Sequence, residues 1–219
     1  MPTNNVICSL KPEPAEIAFF QRIYEREDPL ISQWAQQYHY FSLHQAPLLA
    51  KLIVALNPVD YVSLTTIAKS LYEEFGSGSV NRTHSMLLAC FCHAAGIRTV
   101  LLPIRKSEVI PQLRKYLDGI DMAYLSGDLS TALGAYCFLE RSAVLSYPTM
   151  LSELLRIGFS RDELIFFETH VIQEAEHAKG ALSIANRMIT SQESIRKFTY
   201  QFKEMEILWR NVWEAFCEL

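Results

Sequence analysis

The chain has 219 residues, of which 50% are hydrophobic and 20% are charged, a composition that excludes a disordered or collagen-like chain and suffices for one domain with a substantial core. Its 20 basic and 24 acidic residues give a formal net charge of −4. A protein that binds nucleic acid normally carries a basic excess, so we expect no nucleic-acid partner.

Helical periodicity runs through almost the whole chain. Pro2 and Pro12 lie in residues 1–13, which we expect to form an irregular N-terminal arm ahead of a single domain over 14–219. Pro148 marks a boundary between two helices. Apolar spacing, caps and helix-ending residues predict helices over about 14–27, 29–56, 60–75, 80–95, 107–125, 128–147, 148–157, 160–188 and from about 190 nearly to the C-terminus.

Capping residues fix the starts of the last two helices. Ser160 with Glu163 and Thr190 with Glu193 have the spacing of capping boxes. Residues 98–105 form the one connection in which the sequence allows a short strand. Because the apolar positions do not follow a strict heptad, we expect an all-α globular bundle of about eight helices.

The compartment follows from the cysteines and from the missing targeting signals. The five cysteines have the spacing of neither a disulfide framework nor a zinc knuckle, and residues 1–16 lack the basic and apolar regions of an export signal. The most apolar stretch, Leu87 to Ile104, is interrupted by Arg98 and Pro103, whereas a membrane helix needs about 20 apolar residues. We therefore expect a soluble, cytoplasmic protein with reduced thiols.

One predicted helix carries the most informative cluster of the sequence, His170, Glu174 and His177. At about 100° per residue these three side chains occupy a sector of about 60° on one helix face. Two imidazoles and a carboxylate suit Fe(II), Mn(II) or Zn(II), and the absence of cysteine among them argues against structural zinc. Because Glu168 and Glu176 show that the helix also carries ordinary charge, the alternative interpretation is a solvated face.

Three further residues favour a metal site. Glu140 lies in a helix that is apolar on most sides, where a carboxylate is costly unless it is paired or bound to a metal. His84 opens a helix just after the Gly-Ser-Gly sequence at 76–78, and Glu74 ends the preceding helix. A glycine loop allows two helix ends to converge on one point. Glu73 is an alternative to Glu74, because composition cannot separate neighbouring helical positions.

The ligand-type residues, in chain order, are Glu74, His84, Glu140, His170, Glu174 and His177. This series resembles the heme oxygenase-like diiron oxidases and oxygenases, relatives of the TenA and PqqC folds that include the Chlamydia protein associating with death domains. The resemblance spans about residues 15–215. It rests on the acidic-glycine-histidine segment over 71–84, on the His-x-x-x-Glu-x-x-His helix, and on the long second helix with Trp34-Ala-Gln-Gln-Tyr-His-Tyr-Phe.

The resemblance implies a heme oxygenase-like bundle with one or two iron ions, or manganese, at its centre. Such a centre activates O₂ to oxidise a small organic substrate in an apolar cavity. Aromatic side chains that the sequence offers for this cavity are Tyr38, Phe41, Tyr136, Phe138 and Phe167, each of which is otherwise ordinary core. The alternatives are a metal-free TenA-like or PqqC-like enzyme, and a helical interaction protein that has lost catalysis.

The second predicted helix departs from the family pattern. Family members usually supply a carboxylate from this helix to the second metal, whereas no Asp or Glu occurs from Pro29 to Val59. His44 can replace the carboxylate through its imidazole, Gln37 can bind weakly through its amide oxygen, or water can take the position. Because a negative ligand is lost, we expect two unequal metal sites.

We expect one ion to be held firmly and the other weakly. The expected firm ligands are His170, Glu140 and part of the Glu74/His84 pair, and the expected weak ligands are Glu174, His177 and a residue of the second helix. Apolar residues of the last helix, Ile207, Leu208, Trp209, Trp213 and Phe216, also suggest a surface to be covered, and we expect a homodimer.

Overall fold

The computed structural model describes residues 2–56, 60–97 and 104–219. Within these ranges the regular structure is helical throughout and no strand occurs, which confirms the all-α prediction. The helices are α1 (Pro2–Ser9), α2 (Pro14–Gln21), α3 (Pro29–Ala55), α4 (Tyr61–Glu74), α5 (His84–Ala94), α6 (Pro111–Leu125), α7 (Leu129–Arg156), α8 (Ile165–Met188) and α9 (Gln192–Phe216). None of them is both long and apolar enough to cross a membrane.

The long helices pack around α7. This helix lies along α8 and α9 and also contacts α6, while α3 packs against α4, α5 and α6. Buried aromatic rings fill the space between these layers. Trp34 of α3 stacks on Trp213 of α9 and on Phe167 of α8, with ring centroids 6.3 and 6.2 Å apart. The bundle therefore encloses a core to which α3, α7, α8 and α9 all contribute.

The N-terminus differs from the predicted irregular arm, because Pro2–Ser9 forms helix α1. Ile7 and the following Leu10 are buried, and Thr3 donates a hydrogen bond to Asn186 of α8 over 2.7 Å. Packing against the bundle thus stabilises a helix that is too short to be stable alone. Helix α2 also ends at Gln21, earlier than the predicted residue 27.

Pro148 does not end a helix, and the two segments predicted over 128–147 and 148–157 form the single helix α7. A proline inside a helix costs about 3 kcal/mol because it removes one hydrogen bond and crowds the preceding turn. Tyr147 and Met150 flank Pro148 and are both buried. Their packing on neighbouring helices holds the segment in helical conformation despite this cost.

The predicted caps of the last two helices hold only in part. Ser160 and Glu163 exchange hydrogen bonds as expected, but a 3₁₀ turn follows them and α8 begins at Ile165. Helix α9 is capped by Ser191, whose hydroxyl accepts from the Ser194 amide, rather than by Thr190. Most of the connection over 98–105, where a strand was allowed, lies outside the described residues.

Most of the apolar residues of α9 are covered within the chain itself. Trp209, Trp213 and Phe216 are buried against the bundle, and Ile207 is 48% exposed. These side chains close the core, so they do not by themselves require a partner. The homodimer remains a prediction.

Candidate metal centre

Six acidic and histidine side chains from four helices meet inside the bundle. They form two groups, in each of which one potential ligand atom per residue lies within 4.8 Å of the others. The groups are Glu74, His84 and His170, called the first group below, and Glu140, Glu174 and His177, called the second group. All six positions are those predicted from the sequence. All are buried except Glu74, which is half-buried.

A glycine turn brings Glu74 and His84 together. Helix α4 ends at Glu74, a 3₁₀ turn covers Gly76–Gly78, and α5 begins at His84. Gly76 has a φ of +71°, and a Cβ atom there would lie 2.5 Å from the backbone nitrogen of Thr83. Only glycine allows this close approach of the two chain segments. The turn therefore places the first residue of α5 beside the last residue of α4.

The side chains of the first group are spaced like the ligands of a single cation. His84 Nδ1 lies 3.0 Å from Glu74 Oε1, yet this buried nitrogen has no hydrogen-bond partner. Two ligand atoms that are each ~2.1 Å from one ion and about 90° apart are about 3 Å from each other. The rings of His84 and His170 are 4.4 Å apart. The unpartnered nitrogen thus fits a ligand better than it fits a hydrogen-bonding group.

The backbone fixes the orientation of His170. Its Nδ1 lies 2.7 Å from the carbonyl oxygen of Phe166, to which it donates, and its Nε2 lies 4.0 Å from Glu174 Oε1, on the side of the centre. Burial, and to a smaller extent the proximity of His84, lowers the pKa of His170 well below its usual value. His170 is therefore neutral, which is the form that binds metals.

The second group concentrates carboxylates around one imidazole. His177 Nδ1 lies 3.7 Å from Glu140 Oε2 and 3.8 Å from Glu174 Oε2. Burial, followed by the charge of Glu174, raises the pKa of Glu140 well above its usual value. Burial lowers the pKa of His177, but the surrounding carboxylates of Glu174, Glu140 and Glu73 outweigh it and raise that pKa to about 10. Without a cation, protons must offset the charge of this group.

Glu73 contributes in a way that the sequence did not reveal. Its Oε2 lies 2.6 Å from His177 Nε2, on the side of the ring opposite Glu140. Glu73 and Glu74 are neighbours, so their side chains point about 100° apart on α4. The two neighbouring glutamates therefore have different roles. Glu74 joins the first group, whereas Glu73 orients the imidazole of His177, as a carboxylate hydrogen-bonded to a metal-binding histidine does.

The donor set fits a pair of divalent metal ions. The first group is a 2-His-1-carboxylate set, which is typical of non-heme Fe(II) sites. The second group offers two carboxylates and one imidazole, a combination that suits iron or manganese. The buried Glu140 and Glu174 and the half-buried Glu74 have no lysine or arginine partner among the described residues, which is costly unless cations compensate their charge. The sequence assigns Glu140 to the same ion as His170, whereas the structure groups Glu140 with Glu174 and His177.

A cavity of about 50 Å³ adjoins both groups, which is room for several water molecules at the ~10–15 Å³ that each requires. Its walls beyond the centre include Tyr38, Phe41, Ser42, Gln45, Leu49, Tyr116, Leu139, Ser142, Ala143, Ser146, Tyr147, Phe166 and Trp209. Tyr38 and Phe41 were predicted there. Tyr136, Phe138 and Phe167 are buried but do not line the cavity, so they serve as core. Tyr147 was not predicted from the sequence as a cavity residue, and its ring stacks on that of His170 with centroids 4.2 Å apart.

The structure does not bring His44 or Gln37 to the centre. His44 Nδ1 lies 2.8 Å from the carbonyl oxygen of Tyr40, and the ring lines a separate pocket with Lys51. Gln37 donates to the carbonyl of Glu108 and accepts from the amide of Ile110. Helix α3 faces the cavity instead with Tyr38, Phe41, Ser42 and Gln45. Neither His44 nor Gln37 therefore replaces the missing carboxylate.

The sequence pattern of a family described as iron-containing redox enzymes matches residues 32–210, a span that contains all six residues of the centre. The chain belongs to this family. No curated protein matches the chain.

Solved structures share the fold of the chain. A CADD-like protein of unknown function from Nostoc punctiforme has a TM-score of 0.80 at 15% identity, with 99% of this chain and 96% of that chain covered. A TenA homolog from Pseudomonas syringae pv. tomato has a TM-score of 0.74 at 12% identity, with coverages of 100% and 88%. A domain of unknown function with a heme oxygenase-like fold from Shewanella denitrificans has a TM-score of 0.74 at 13% identity, with coverages of 98% and 87%. At these identities the likeness establishes the fold, and it confirms the heme oxygenase-like bundle.

Proposed function

We propose that the protein is a non-heme iron oxidase or oxygenase that holds two iron ions and uses O₂ to oxidise a small organic substrate. The observation that carries this proposal is the pair of adjacent buried groups, one of which is a 2-His-1-carboxylate set. Bound iron would supply the electron-transfer and O₂ chemistry that amino-acid side chains lack.

The side chains of the protein prepare the centre before any ligand binds. The Phe166 carbonyl holds His170 in the neutral form with Nε2 toward the centre, and Glu73 holds the ring of His177 from its outer side. Such supporting contacts fix the ring orientation and the tautomer of a metal-binding histidine. Glu140 and Glu174 offer carboxylate oxygens to a cation, and burial raises the pKa of Glu140 well above its usual value.

The cavity limits the substrate. Tyr38, Phe41, Tyr147 and Trp209 are buried walls of it, and they shield the centre from bulk water. The free volume of about 50 Å³ accommodates a small molecule or one slender end of a larger one. Apolar walls select by shape, so the substrate is expected to present an apolar group to the centre.

The cavity argues against the metal-free alternative. A TenA-like enzyme that uses a cysteine nucleophile needs a thiol at its cavity, whereas no cysteine lines this one in the described part of the chain. Cys137 is buried and donates to the carbonyl of Ala181, and Cys92 donates to the carbonyl of Ala35. Burial raises the pKa of both thiols, to about 12 for Cys92. Neither thiol is suited to be a nucleophile.

Iron loading tests the proposal. Metal-free full-length protein is titrated anaerobically with Fe(II) and followed by calorimetry and metal analysis, and bound metal is expected to raise the melting temperature. His170→Ala and His177→Ala should each lose iron while keeping the helical circular-dichroism spectrum. His93→Ala, which alters an exposed histidine of α5, should load like wild type.

Exposure of the loaded protein to O₂ in a stopped-flow spectrometer then tests the redox chemistry. Wild type should react, and the two site variants should not. If wild type binds no iron and its melting temperature does not change, the proposal is wrong, and the interaction-protein alternative is favoured. Iron retained in full by both site variants would show that the centre lies elsewhere.

A further inference from the structure

Glu16 is a buried carboxyl group that lies outside the metal centre. It belongs to α2, where it is 2% exposed and is followed by the fully buried Phe19 and Phe20. Its Oε2 accepts a hydrogen bond from the Ser146 hydroxyl over 2.6 Å, and its Oε1 has no hydrogen-bond partner among the residues that the structure describes. A carboxyl group in such surroundings is costly. Glu16 belongs neither to the six ligand-type residues nor to the apolar core, so its burial needs another explanation.

No basic side chain among the described residues pairs with Glu16. The charged and titratable groups near it include Glu13, the N-cap residue of α2, and Tyr38 on α3, and Arg210 of α9 pairs with Glu13 at 3.5 Å. Helix α7 presents the Ser146 hydroxyl. Burial raises the pKa of Glu16 to about 8, although the Ser146 hydrogen bond opposes this shift. Glu16 therefore holds a proton at neutral pH and can release it at little cost.

Ser146 lies where the cavity and a surface groove are adjacent. It lines the cavity that adjoins the metal centre, and it also lines a surface groove whose other residues include Lys11, Glu13 and Glu206. Trp209 is likewise shared by the cavity and the groove. Ser146 thus borders both the groove and the cavity, and Glu16, which lines neither of them, lies behind Ser146 as its hydrogen-bond partner.

We propose that Glu16 and Ser146 form a proton relay from the surface groove to the cavity. The inference rests on the proposed function, because reduction of O₂ consumes protons and the cavity walls are buried. In one relay step the Ser146 hydroxyl gives its proton to a water molecule or substrate atom in the cavity and takes the proton of the Glu16 carboxyl group. Water in the groove then gives a proton to the Ser146 oxygen, and Ser146 passes its own hydroxyl proton to the Glu16 carboxylate. No electrons move in the relay, and one proton enters for each proton delivered.

Two variants interrupt the relay at different atoms. Glu16→Gln keeps the size and the hydrogen bond to Ser146 but holds no transferable acid proton. Ser146→Ala keeps the acid and removes the bridge. The matched control is Ser32→Ala, because the Ser32 hydroxyl donates to the backbone carbonyl of Pro29 and Ser32 lines neither the cavity nor the groove. A merely structural role for Glu16 would tolerate the glutamine variant.

The first readout needs no iron. The infrared C=O band of a protonated carboxyl group is followed with pH in metal-free protein, as a difference between wild type and Glu16→Gln. The band should be present at pH 7 and disappear with a midpoint near pH 8. A difference spectrum without this band at pH 7 would mean that Glu16 is ionised, and it would overturn the relay whatever the fate of the proposed function.

The second readout is the rate at which Fe(II)-loaded protein reacts with O₂ as a function of pH. The wild-type rate should fall above about pH 8, where Glu16 loses its proton. Glu16→Gln and Ser146→Ala should bind iron in full, react at least about tenfold more slowly at pH 7 and lack this fall, whereas Ser32→Ala should keep the wild-type pH profile. Wild-type rates and pH profiles in both relay variants would refute the relay alone, and failure of wild type to bind iron would refute the proposed function.

Discussion

Gly76→Ala tests how the turn between α4 and α5 assembles the first group. Gly76 has a φ of +71°, in the left-handed region that residues with a side chain avoid. A Cβ atom would lie 2.5 Å from both the carbonyl carbon of Arg82 and the amide nitrogen of Thr83. These atoms are backbone, so they cannot rotate away. The segment that leads into His84 must therefore move away from the end of α4.

The expected loss of stability has two contributions, the left-handed backbone conformation and the clash with the backbone of Arg82 and Thr83. The left-handed conformation costs about 1–2 kcal/mol for alanine, and a forced backbone shift costs typically about 1–3 kcal/mol. We expect Gly76→Ala to lower the free energy of unfolding by about 2–5 kcal/mol. Gly127 is the matched control, because its φ is +70° but nothing lies within 4 Å of a Cβ atom there. Gly127→Ala should show the first contribution alone.

Urea unfolding followed by circular dichroism measures both variants, and anaerobic Fe(II) calorimetry measures the metal. Because the shift separates His84 from Glu74, Gly76→Ala should also weaken iron binding at the first group, while Gly127→Ala should bind iron like wild type. Equal destabilisation by the two substitutions would show that the backbone contact at Gly76 contributes nothing. Unchanged iron binding in Gly76→Ala would refute the idea that this turn positions the ligands.

Three further substitutions have defined outcomes. Glu73→Gln replaces the carboxylate behind His177 and should weaken iron at the second group by about 10-fold or more, whereas an unchanged titration would deny Glu73 its orienting role. Gly134→Ala would place a Cβ atom 2.6 Å from the carbonyl oxygen of Phe198 and should lower the free energy of unfolding by about 1–3 kcal/mol, since α7 and α9 must separate; a more stable variant would contradict this. For Glu16 the folded pKa of about 8 exceeds the ordinary 4.5, so the folded state keeps a proton that the unfolded state has lost. As the pH rises from 4.5 to about 8, the free energy of unfolding of wild type should fall by about 1.4 kcal/mol per pH unit relative to that of Glu16→Gln, measured by urea unfolding. If the free energies of the two proteins depended on pH in the same way, the raised pKa would be refuted.

Local sequence signals predicted most of the helices and the identity of the ligand-type residues. The phase of a helix places His170 and His177 on one face wherever that helix packs, and the glycine turn signalled that Glu74 and His84 converge. What failed depended on packing between distant segments. Pro148 predicts the end of a helix, yet the packing of the buried Tyr147 and Met150 keeps α7 continuous through this proline.

The grouping of the ligands was also out of reach of the sequence. Which carboxylate lies nearest to which imidazole depends on the relative rotation of α4, α7 and α8, and no local pattern encodes that rotation. The role of Glu73 could not be predicted for the same reason, because it requires the His177 side chain to face α4. His44 has a suitable side chain, but its ring bonds to the Tyr40 carbonyl one turn earlier and faces another pocket.

The charges of the two groups predict which ion binds more tightly, and they reverse the order expected from the sequence. The first group contains one carboxylate, Glu74, and two imidazoles, of which that of His170 is neutral. The second group contains Glu140 and Glu174 and has Glu73 behind His177. Each added negative charge close to a divalent ion in a buried site strengthens the attraction.

The first equivalent of Fe(II) should therefore occupy the second group, and the second equivalent should bind more weakly at the first group. In calorimetric titrations Glu140→Gln should abolish the tight equivalent, and His84→Ala should abolish the weak one and leave the tight one in place. The weak equivalent should also be the more sensitive to Gly76→Ala, since that turn positions only the first group. Loss of the tight equivalent in His84→Ala would mean that local charge does not decide the order of binding.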